Sequence, residues 1–171
     1  MNNINAEWLI TEYGASLYSF CLYLTRNREA AEDLYQQTFL VVLEKDELDA
    51  QRNPKAYLVT VAHNLWRNQI RKSLWRKKIA EVSYVGDEEL ENIRDNQPDV
   101  EEMVEKKELE KEVRRCTYLL PDKFRVVIVM HFMEDMSLEE IASALGIPVG
   151  TVKSRMNKAK QMLKERLGYG K

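Results

Sequence analysis

The stretch that decides the fold runs from Ser137 to Leu167 and reads SLEEIASALGIPVGTVKSRMNKAKQMLKERL. Ser137 with Glu140 three positions on forms a capping box, which fixes the start of a first helix. Gly146 stands where a helix C-terminus favours a left-handed residue, and Pro148 precedes a second helix of roughly twenty residues. This spacing predicts two helices joined by a tight turn, a helix-turn-helix.

The second helix of this motif has two chemically different faces. Apolar side chains at steps of three and four predict a buried stripe, namely Val152, Met156, Ala159, Leu163 and Leu167. The opposite face carries basic and hydrogen-bonding side chains that can reach phosphates and base edges in a DNA groove. The candidate duplex-binding residues are Thr151, Lys153, Ser154, Asn157 and Lys158. The alternative is a helical hairpin whose basic face is only solvated, which the combined capping, turn and face pattern disfavours.

The overall composition is that of an ordinary globular protein. The chain has 171 residues, of which 44% are hydrophobic and 32% charged. No run approaches the roughly eighteen apolar residues of a membrane span. The start, MNNINAEWLI, lacks the basic and apolar segments of a signal peptide. We therefore expect a cytoplasmic protein without a membrane span of its own.

The cysteines and histidines are isolated in the sequence. Cys21 and Cys116 lack C-x-x-C spacing, and we interpret both as buried free thiols. His63 and His131 have no ligand spacing around them. The sequence also shows no paired carboxylates, no nucleophile with a base and no phosphate-binding glycine loop. We expect no metal, no cofactor and no catalytic activity.

The net charge of −2 hides a strong division along the chain. Residues 81–105 contain ten acidic residues and one arginine, so the rest of the chain is basic. The basic side chains concentrate in two clusters, at 67–78 and 153–166. Two basic blocks that flank an acidic middle predict two nucleic-acid contacts joined by a spacer.

The first eighty residues predict three helices. Apolar periodicity indicates helices over 5–25 and 28–44, with Asn27 as the N-cap of the second. Asn53 followed by Pro54 marks the start of a third helix that runs to about residue 78. The predicted inward face of the second helix is Ala30, Leu34, Thr38 and Val41. Its predicted outward face is Asp33, Gln36, Gln37 and Glu44.

The second half of the third helix combines aromatic and basic side chains. Trp66 and Trp75 stand among arginines and lysines. Such a mixture is typical of single-strand binding surfaces, where bases stack on rings and cations follow the backbone. Both tryptophans fit a core or interface position equally well, so the sequence leaves the two interpretations open.

The remaining residues predict further helices and no strand. We expect helices over about 99–119 and 121–132, followed by the helix-turn-helix. The predicted fold is all-α, with two small helical domains at 1–80 and 99–171 joined by an acidic linker at 81–98.

Together these residues resemble the extracytoplasmic-function (ECF, group IV) sigma factors of bacterial RNA polymerase. Three quoted stretches and the acidic linker between them carry the resemblance. The stretches are NREAAEDLYQQTFL at 27–40, NPKAYLVTVAHNLWRNQIRK at 53–72, and LLPDKFRVVIVMHFMEDMSLEEIASALGIPVGTVKSRMNKAKQML at 119–163. The match covers nearly the whole chain in the family's order, and it is therefore more specific than a helix-turn-helix alone.

The resemblance implies sigma region two in the first domain and region four in the second. It implies polymerase docking by Asp33, Leu34, Gln37, Thr38 and Phe39. The loop Lys45–Asn53 and the helix through Asn64 and Arg67 match the part that captures the melted minus-ten element. Combined with the basic and aromatic cluster, the minus-ten candidates are Asn64, Trp66, Arg67, Arg71 and Lys72. Lys153, Ser154, Asn157 and Lys158 match positions that read the minus-thirty-five element.

The resemblance further implies a specificity subunit without chemistry of its own. Its partners would be the β′ clamp helices and β flap of core RNA polymerase, promoter DNA, and an anti-sigma factor that holds it inactive. His63 and Asn68 stand where many family members carry arginine and aspartate, which affects the minus-ten preference. The alternative is a free-standing helix-turn-helix regulator that binds an operator without polymerase. Such a regulator would need a sensor or dimerisation domain in the first eighty residues, and neither pattern is present there.

Overall fold

The computed structural model describes residues 6–45, 53–80 and 108–168, all-α as predicted. These residues form helices α1 (Ala6–Thr25), α2 (Arg28–Lys45), α3 (Pro54–Ala80), α4 (Glu108–Tyr118), α5 (Asp122–Phe132), α6 (Leu138–Leu145) and α7 (Val149–Arg166). Three predicted segments lie outside the described residues. They are the linker at 81–98, most of the loop at 45–53 and the start of the helix predicted from residue 99.

The N-terminal bundle, α1 to α3, is a three-helix unit in which each helix packs on the other two. Leu17, Phe20 and Leu58 are almost fully buried at its centre. Both predicted caps are confirmed. The Ala30 N–H donates to Asn27 Oδ1 at 2.9 Å, and the Ala56 N–H donates to Asn53 Oδ1 at 3.2 Å. These caps satisfy first-turn donors that the helices themselves leave unpaired.

The C-terminal bundle, α4 to α7, contains the predicted helix-turn-helix in α6 and α7. The Ser137 hydroxyl accepts from the Glu140 N–H at 3.1 Å, and the Glu140 carboxylate accepts from the Ser137 N–H at 2.9 Å. Gly146 ends α6 in the left-handed region, with φ 67°. A residue with a Cβ is strained there, which is why the sequence needs glycine at this turn.

The middle of helix α5 is buried on all sides. Its six consecutive residues from Arg125 to Met130 are buried, although six residues of a helix cover more than one and a half turns. One side of α5 packs on α6 and α7, and the other packs on α1 of the N-terminal bundle. A helix that is buried all round must have neighbours on opposite sides. The helix therefore joins the two bundles.

Arg125 holds this junction together with charge-assisted hydrogen bonds. Its guanidinium is 1% exposed and donates to Tyr23 O at 2.6 Å, to Leu24 O at 3.3 Å and to Leu120 O at 2.5 Å. It also pairs with the Asp122 carboxylate. The last carbonyls of α1 have no partner within their own helix, and a cation at a helix C-terminus is favourable. Arg125 thus satisfies the end of α1 from the other bundle.

A second polar contact crosses the same junction. The Ser16 hydroxyl donates to Glu134 Oε2 at 2.6 Å, and Lys55 Nζ lies 3.7 Å from that oxygen. Burial raises the pKa of Glu134, although Ser16 and Lys55 oppose the shift. The rings of Tyr23 and Tyr118 stack across the same junction, with centroids 4.6 Å apart. The junction therefore combines aromatic packing with paired buried charges.

Candidate nucleic-acid and polymerase interfaces

The exposed face of α7 carries the side chains that the sequence predicts to be exposed. Val152, Met156 and Ala159 are buried against the rest of the bundle. The predicted duplex-binding side chains Lys153, Ser154, Asn157 and Lys158 are exposed, and Thr151 at the start of the helix is half-buried. Since these side chains share one face of a helix that packs by its other face, the face is available to a DNA groove.

The exposed face of α3 carries four of the five minus-ten candidates. Asn64, Arg67, Arg71 and Lys72 all point to solvent. Trp66 is 5% exposed and packs in the core beside the buried His63, with ring centroids 5.8 Å apart. A base-stacking role for Trp66 is therefore wrong. Trp66 continues the i, i+4 series of inward positions on α3, and that position fixes its place in the core.

Trp75 is the exposed aromatic residue on this part of α3. Its side chain is 67% exposed, in contrast to the 5% of Trp66. Trp75 borders an open concavity of about 370 Å³ together with Arg71, Lys72 and Arg76. The sequence left the two tryptophans equivalent, and the structure assigns one to the core and one to the surface.

His63 is a core residue of α3. It is 6% exposed, and its pKa is lowered to about 4, mainly because burial disfavours the charged ring and secondly because the Arg67 cation lies nearby. The side chain is therefore neutral at physiological pH. Position 63 therefore places no charge and no side chain on the exposed face of α3.

The polymerase-docking candidates on α2 also divide into exposed and buried side chains. Asp33 and Gln37 are exposed as predicted. Leu34 and Thr38 are fully buried and Phe39 is 6% exposed, so direct docking by these three residues is wrong. The Thr38 hydroxyl donates to Leu34 O at 2.7 Å within the helix. These three side chains support α2 from inside the bundle.

The exposed leucines of α2 were missed by sequence reasoning. Leu40 is 59% exposed and Leu43 is 41% exposed. Both lie on the outward side with Asp33, Gln36 and Gln37, at spacings of three and four. The sequence signal was the run 39–43, which is apolar on every side of the helix and therefore exceeds what one buried face can cover. Of the predicted inward face, Leu34 and Thr38 are buried as predicted, whereas Ala31 and Val42 are buried in place of Ala30 and Val41.

The cysteines are buried free thiols, as predicted. Burial raises the pKa of Cys21 to about 12, which keeps the thiol protonated and unreactive. Within 6–45, 53–80 and 108–168, no three histidine, cysteine, aspartate or glutamate side chains are grouped as metal ligands. Among the same residues, no helix is both long and apolar enough to span a bilayer.

Comparison with known proteins gives the class and then the family. The model of Sigma-70 region 2 matches residues 9–76, and the model of Sigma-70, region 4, matches residues 110–163. The chain is thus built from two sigma-70 regions in the expected order. It is 31% identical over 166 residues to the ECF RNA polymerase sigma factor SigW of Bacillus subtilis, covering 93% of this chain and 87% of that protein. The chain belongs to the ECF RNA polymerase sigma factors.

Two further similarities agree with this assignment. The ECF RNA polymerase sigma factor EcfG of Rhodopseudomonas palustris is 31% identical over 149 residues, covering 86% of this chain and 77% of that protein. Among solved structures, the sigma factor RpoE from Bartonella quintana, in complex with the anti-sigma factor NepR, matches with a TM-score of 0.71 at 24% identity. That match covers 96% of this chain and 97% of the other, and it shows a shared fold. Sigma factors are DNA-binding initiation factors and not enzymes.

Proposed function

We propose that this sigma factor binds core RNA polymerase and reads a promoter at two separate elements. The α7 face contacts the minus-thirty-five element as duplex, and the α3 face holds the opened minus-ten strand. The observation that supports this division is that α3 and α7, in the two matched sigma regions, each bury one side and expose a different set of DNA-binding side chains. Polymerase supplies the catalysis.

The α7 face suits a duplex because its side chains match base edges and phosphates. Asn157 presents an amide, which pairs with adenine in a major groove through two hydrogen bonds. Lys153 and Lys158 on the same face supply the cations that neutralise phosphates. No aromatic side chain interrupts α7. The helix can therefore lie flat against paired bases.

The outward side of α2 suits the β′ clamp helices of polymerase. Asp33, Gln37, Leu40 and Glu44 follow one another at steps of four, three and four and are all exposed. The exposed Leu40 and Leu43 add apolar surface to this side of α2, which another helix can pack against, with the polar and acidic side chains around it. The C-terminal bundle is proposed to bind the β flap.

We also propose cytoplasmic action under the control of an anti-sigma factor. The solved relative RpoE was captured with the anti-sigma factor NepR, and its fold is similar along almost the whole chain. The exposed Leu40 and Leu43 give such an inhibitor an apolar surface to cover in place of polymerase. The free-standing regulator is disfavoured because residues 9–76, where it would need a sensor, match sigma region 2.

Reconstituted transcription tests the proposal. Purified protein is mixed with core polymerase and a library of random-sequence DNA, and transcripts that depend on the protein are sequenced. The expected result is a shared pair of sequence elements upstream of the start sites. Failure to bind core polymerase, or protein-dependent transcription without a common element, would contradict the function.

A matched pair of substitutions tests the docking surface. Leu40→Asp places a charge on the outward side of α2, whereas Ile10→Asp changes a 46% exposed residue of α1 in the same bundle. We expect Leu40→Asp to weaken core binding at least tenfold and Ile10→Asp to leave it unchanged. Equal effects of the two substitutions would place the docking surface elsewhere.

A further inference from the structure

The exposed residues of α3 form one continuous stripe. Asn64, Arg67, Arg71, Trp75 and Lys78 follow one another at steps of three, four, four and three, and all five are exposed. At 3.6 residues per turn these positions stay on one side of the helix. The stripe is ~21 Å long at ~1.5 Å per residue. An indole therefore stands in line with the residues proposed to hold the minus-ten strand.

The last turns of α3 protrude from the bundle. Among the side chains of α3 described up to Lys78, the last buried one is Trp66, and Ile70 and Leu74 are half-buried. All side chains from Arg71 to Lys78 except Leu74 are exposed. An indole that is 67% exposed buries little apolar surface in the fold, so the fold itself gives no reason for an aromatic residue at this position.

The surroundings of Trp75 are cationic. Arg71, Lys72 and Arg76 border the same concavity as the indole. Cations attract a phosphate backbone, whereas a planar indole offers its face to a base. In a duplex, each base is already stacked on its neighbours, so a free ring face favours an unpaired base. The combination fits single-stranded nucleic acid better than a duplex or an uncharged protein surface.

We propose that Trp75 stacks on an unpaired base of the opened promoter strand, beyond the bases held by Asn64 and Arg67. Trp75 lies eleven residues beyond Asn64, which places it ~16 Å further along the helix. This inference rests on the proposed function and adds a base contact to it.

The test uses the assembled polymerase holoenzyme on a promoter obtained from the random-sequence selection. The template carries a pre-opened bubble over the minus-ten element, and holoenzyme binding to it is measured for four proteins. These are the wild type, Trp75→Ala, Trp75→Phe and the control Trp8→Ala. Trp8 is 46% exposed on α1, away from the stripe, so its substitution removes an exposed indole of the same kind.

We expect Trp75→Ala to weaken bubble binding about 5- to 100-fold, the range that loss of one base–aromatic stack gives. Trp75→Phe should retain most of the affinity, and Trp8→Ala should match the wild type. The thermal midpoint of Trp75→Ala should not change. Binding of core polymerase without DNA should also be unaffected.

Single abasic sites in the opened strand identify the base that stacks. One abasic position should weaken wild-type binding and cause no further loss in Trp75→Ala, because both changes remove the same contact. Additive losses at every position would overturn the stacking role. Loss of core binding by Trp75→Ala would overturn it too, since the indole would then be a protein contact.

The outcomes separate this inference from the proposed function. A wild-type holoenzyme that does not bind the bubble template would contradict both. If the wild-type holoenzyme binds the bubble and Trp75→Ala binds it equally well, the proposed function stands and the stacking inference falls.

Discussion

The two exposed faces of α3 and α7 share their charge and differ in their neutral side chains. Both carry arginines or lysines opposite a buried stripe. The α7 face adds Ser154 and Asn157, whereas the α3 stripe adds Asn64 and Trp75. Cations alone indicate only that a surface attracts nucleic acid, because phosphates are the same in single and double strands. Amides occur on both faces, so the indole of the α3 stripe is the side chain that separates the proposed single-strand stacking from the proposed duplex reading.

The positions of both faces depend on how the two bundles pack together. Arg125 is the side chain whose loss should disrupt that packing most severely. Arg125→Ala removes a buried cation and leaves Asp122 and the carbonyls of Tyr23 and Leu24 without their donor. We expect a loss of about 4–5 kcal/mol in the free energy of unfolding, the upper part of the range for breaking a buried pair. Urea unfolding measures it. Lys123→Ala in the exposed first turn of the same helix is the control, with a change of about 0.5 kcal/mol or less. A loss below about 1 kcal/mol for Arg125→Ala would show that the junction does not depend on this side chain.

The two tryptophans of α3 compare a core residue, Trp66, with a surface residue, Trp75. Trp66→Ala opens a cavity in the core and should cost about 3–4 kcal/mol of unfolding free energy. Trp75→Ala should change that free energy by about 0.5 kcal/mol or less, because its side chain is mostly in water. Thermal or urea unfolding of the two variants gives the comparison directly. Similar losses would mean that Trp75 also supports the fold.

The protonation state of His63 tests whether the core behind the α3 face is as apolar as its burial indicates. Its pKa falls from 6.5 to about 4 on folding. Above pH 6.5 the ring is neutral in both the folded and the unfolded chain, and the stability is fully present. As pH falls towards 4 this stability is lost, because the unfolded chain binds a proton that the buried ring does not. The expected loss is on the order of 2–3 kcal/mol between those limits.

The measurement is unfolding free energy against pH for the wild type and His63→Gln. The difference between the two curves should shrink as pH falls from 6.5 towards 4, because the variant has no ring to protonate. Parallel curves would show that His63 does not titrate in this window.

The smallest expected effect concerns a single phosphate contact on the α7 face. Lys158→Ala should weaken binding to minus-thirty-five duplex several-fold. It should also reduce the slope of log affinity against log salt by about 0.9, the value for one phosphate. Holoenzyme titrations at several salt concentrations measure both quantities. Lys123, exposed on α5 of the same bundle, is the matched control. If Lys123→Ala has the larger effect, the wrong surface of the bundle has been assigned to the groove.

Local signals predicted the helices and their ends well. Asn27, Asn53 and the Ser137–Glu140 box cap helices because a side-chain oxygen can reach free N–H groups nearby in the sequence. Gly146 ends α6 because its backbone needs no Cβ. The exposed face of α7 was also predicted correctly, because polar and apolar residues there alternate cleanly at helical spacing. These features depend on neighbours a few residues apart.

The sequence failed where a helix is apolar or aromatic on more than one side. On α2 the helical spacing correctly placed Leu34 and Thr38 inward, but it gave no sign of the exposed Leu40 and Leu43. Docking by Leu34, Thr38 and Phe39 was implied by the family resemblance alone. Helical spacing gives the relative angles of side chains, but only the neighbouring helices decide which angle faces inward.

The sequence by itself determined the class of fold, the family and the presence of two basic surfaces, since each follows from local order and charge along the chain. The tertiary structure decided which of the two tryptophans is available to a base and how Arg125 closes the end of α1. Both outcomes depend on which distant helix lies against each side chain. Contacts between residues about one hundred positions apart leave no periodic signal in a single sequence.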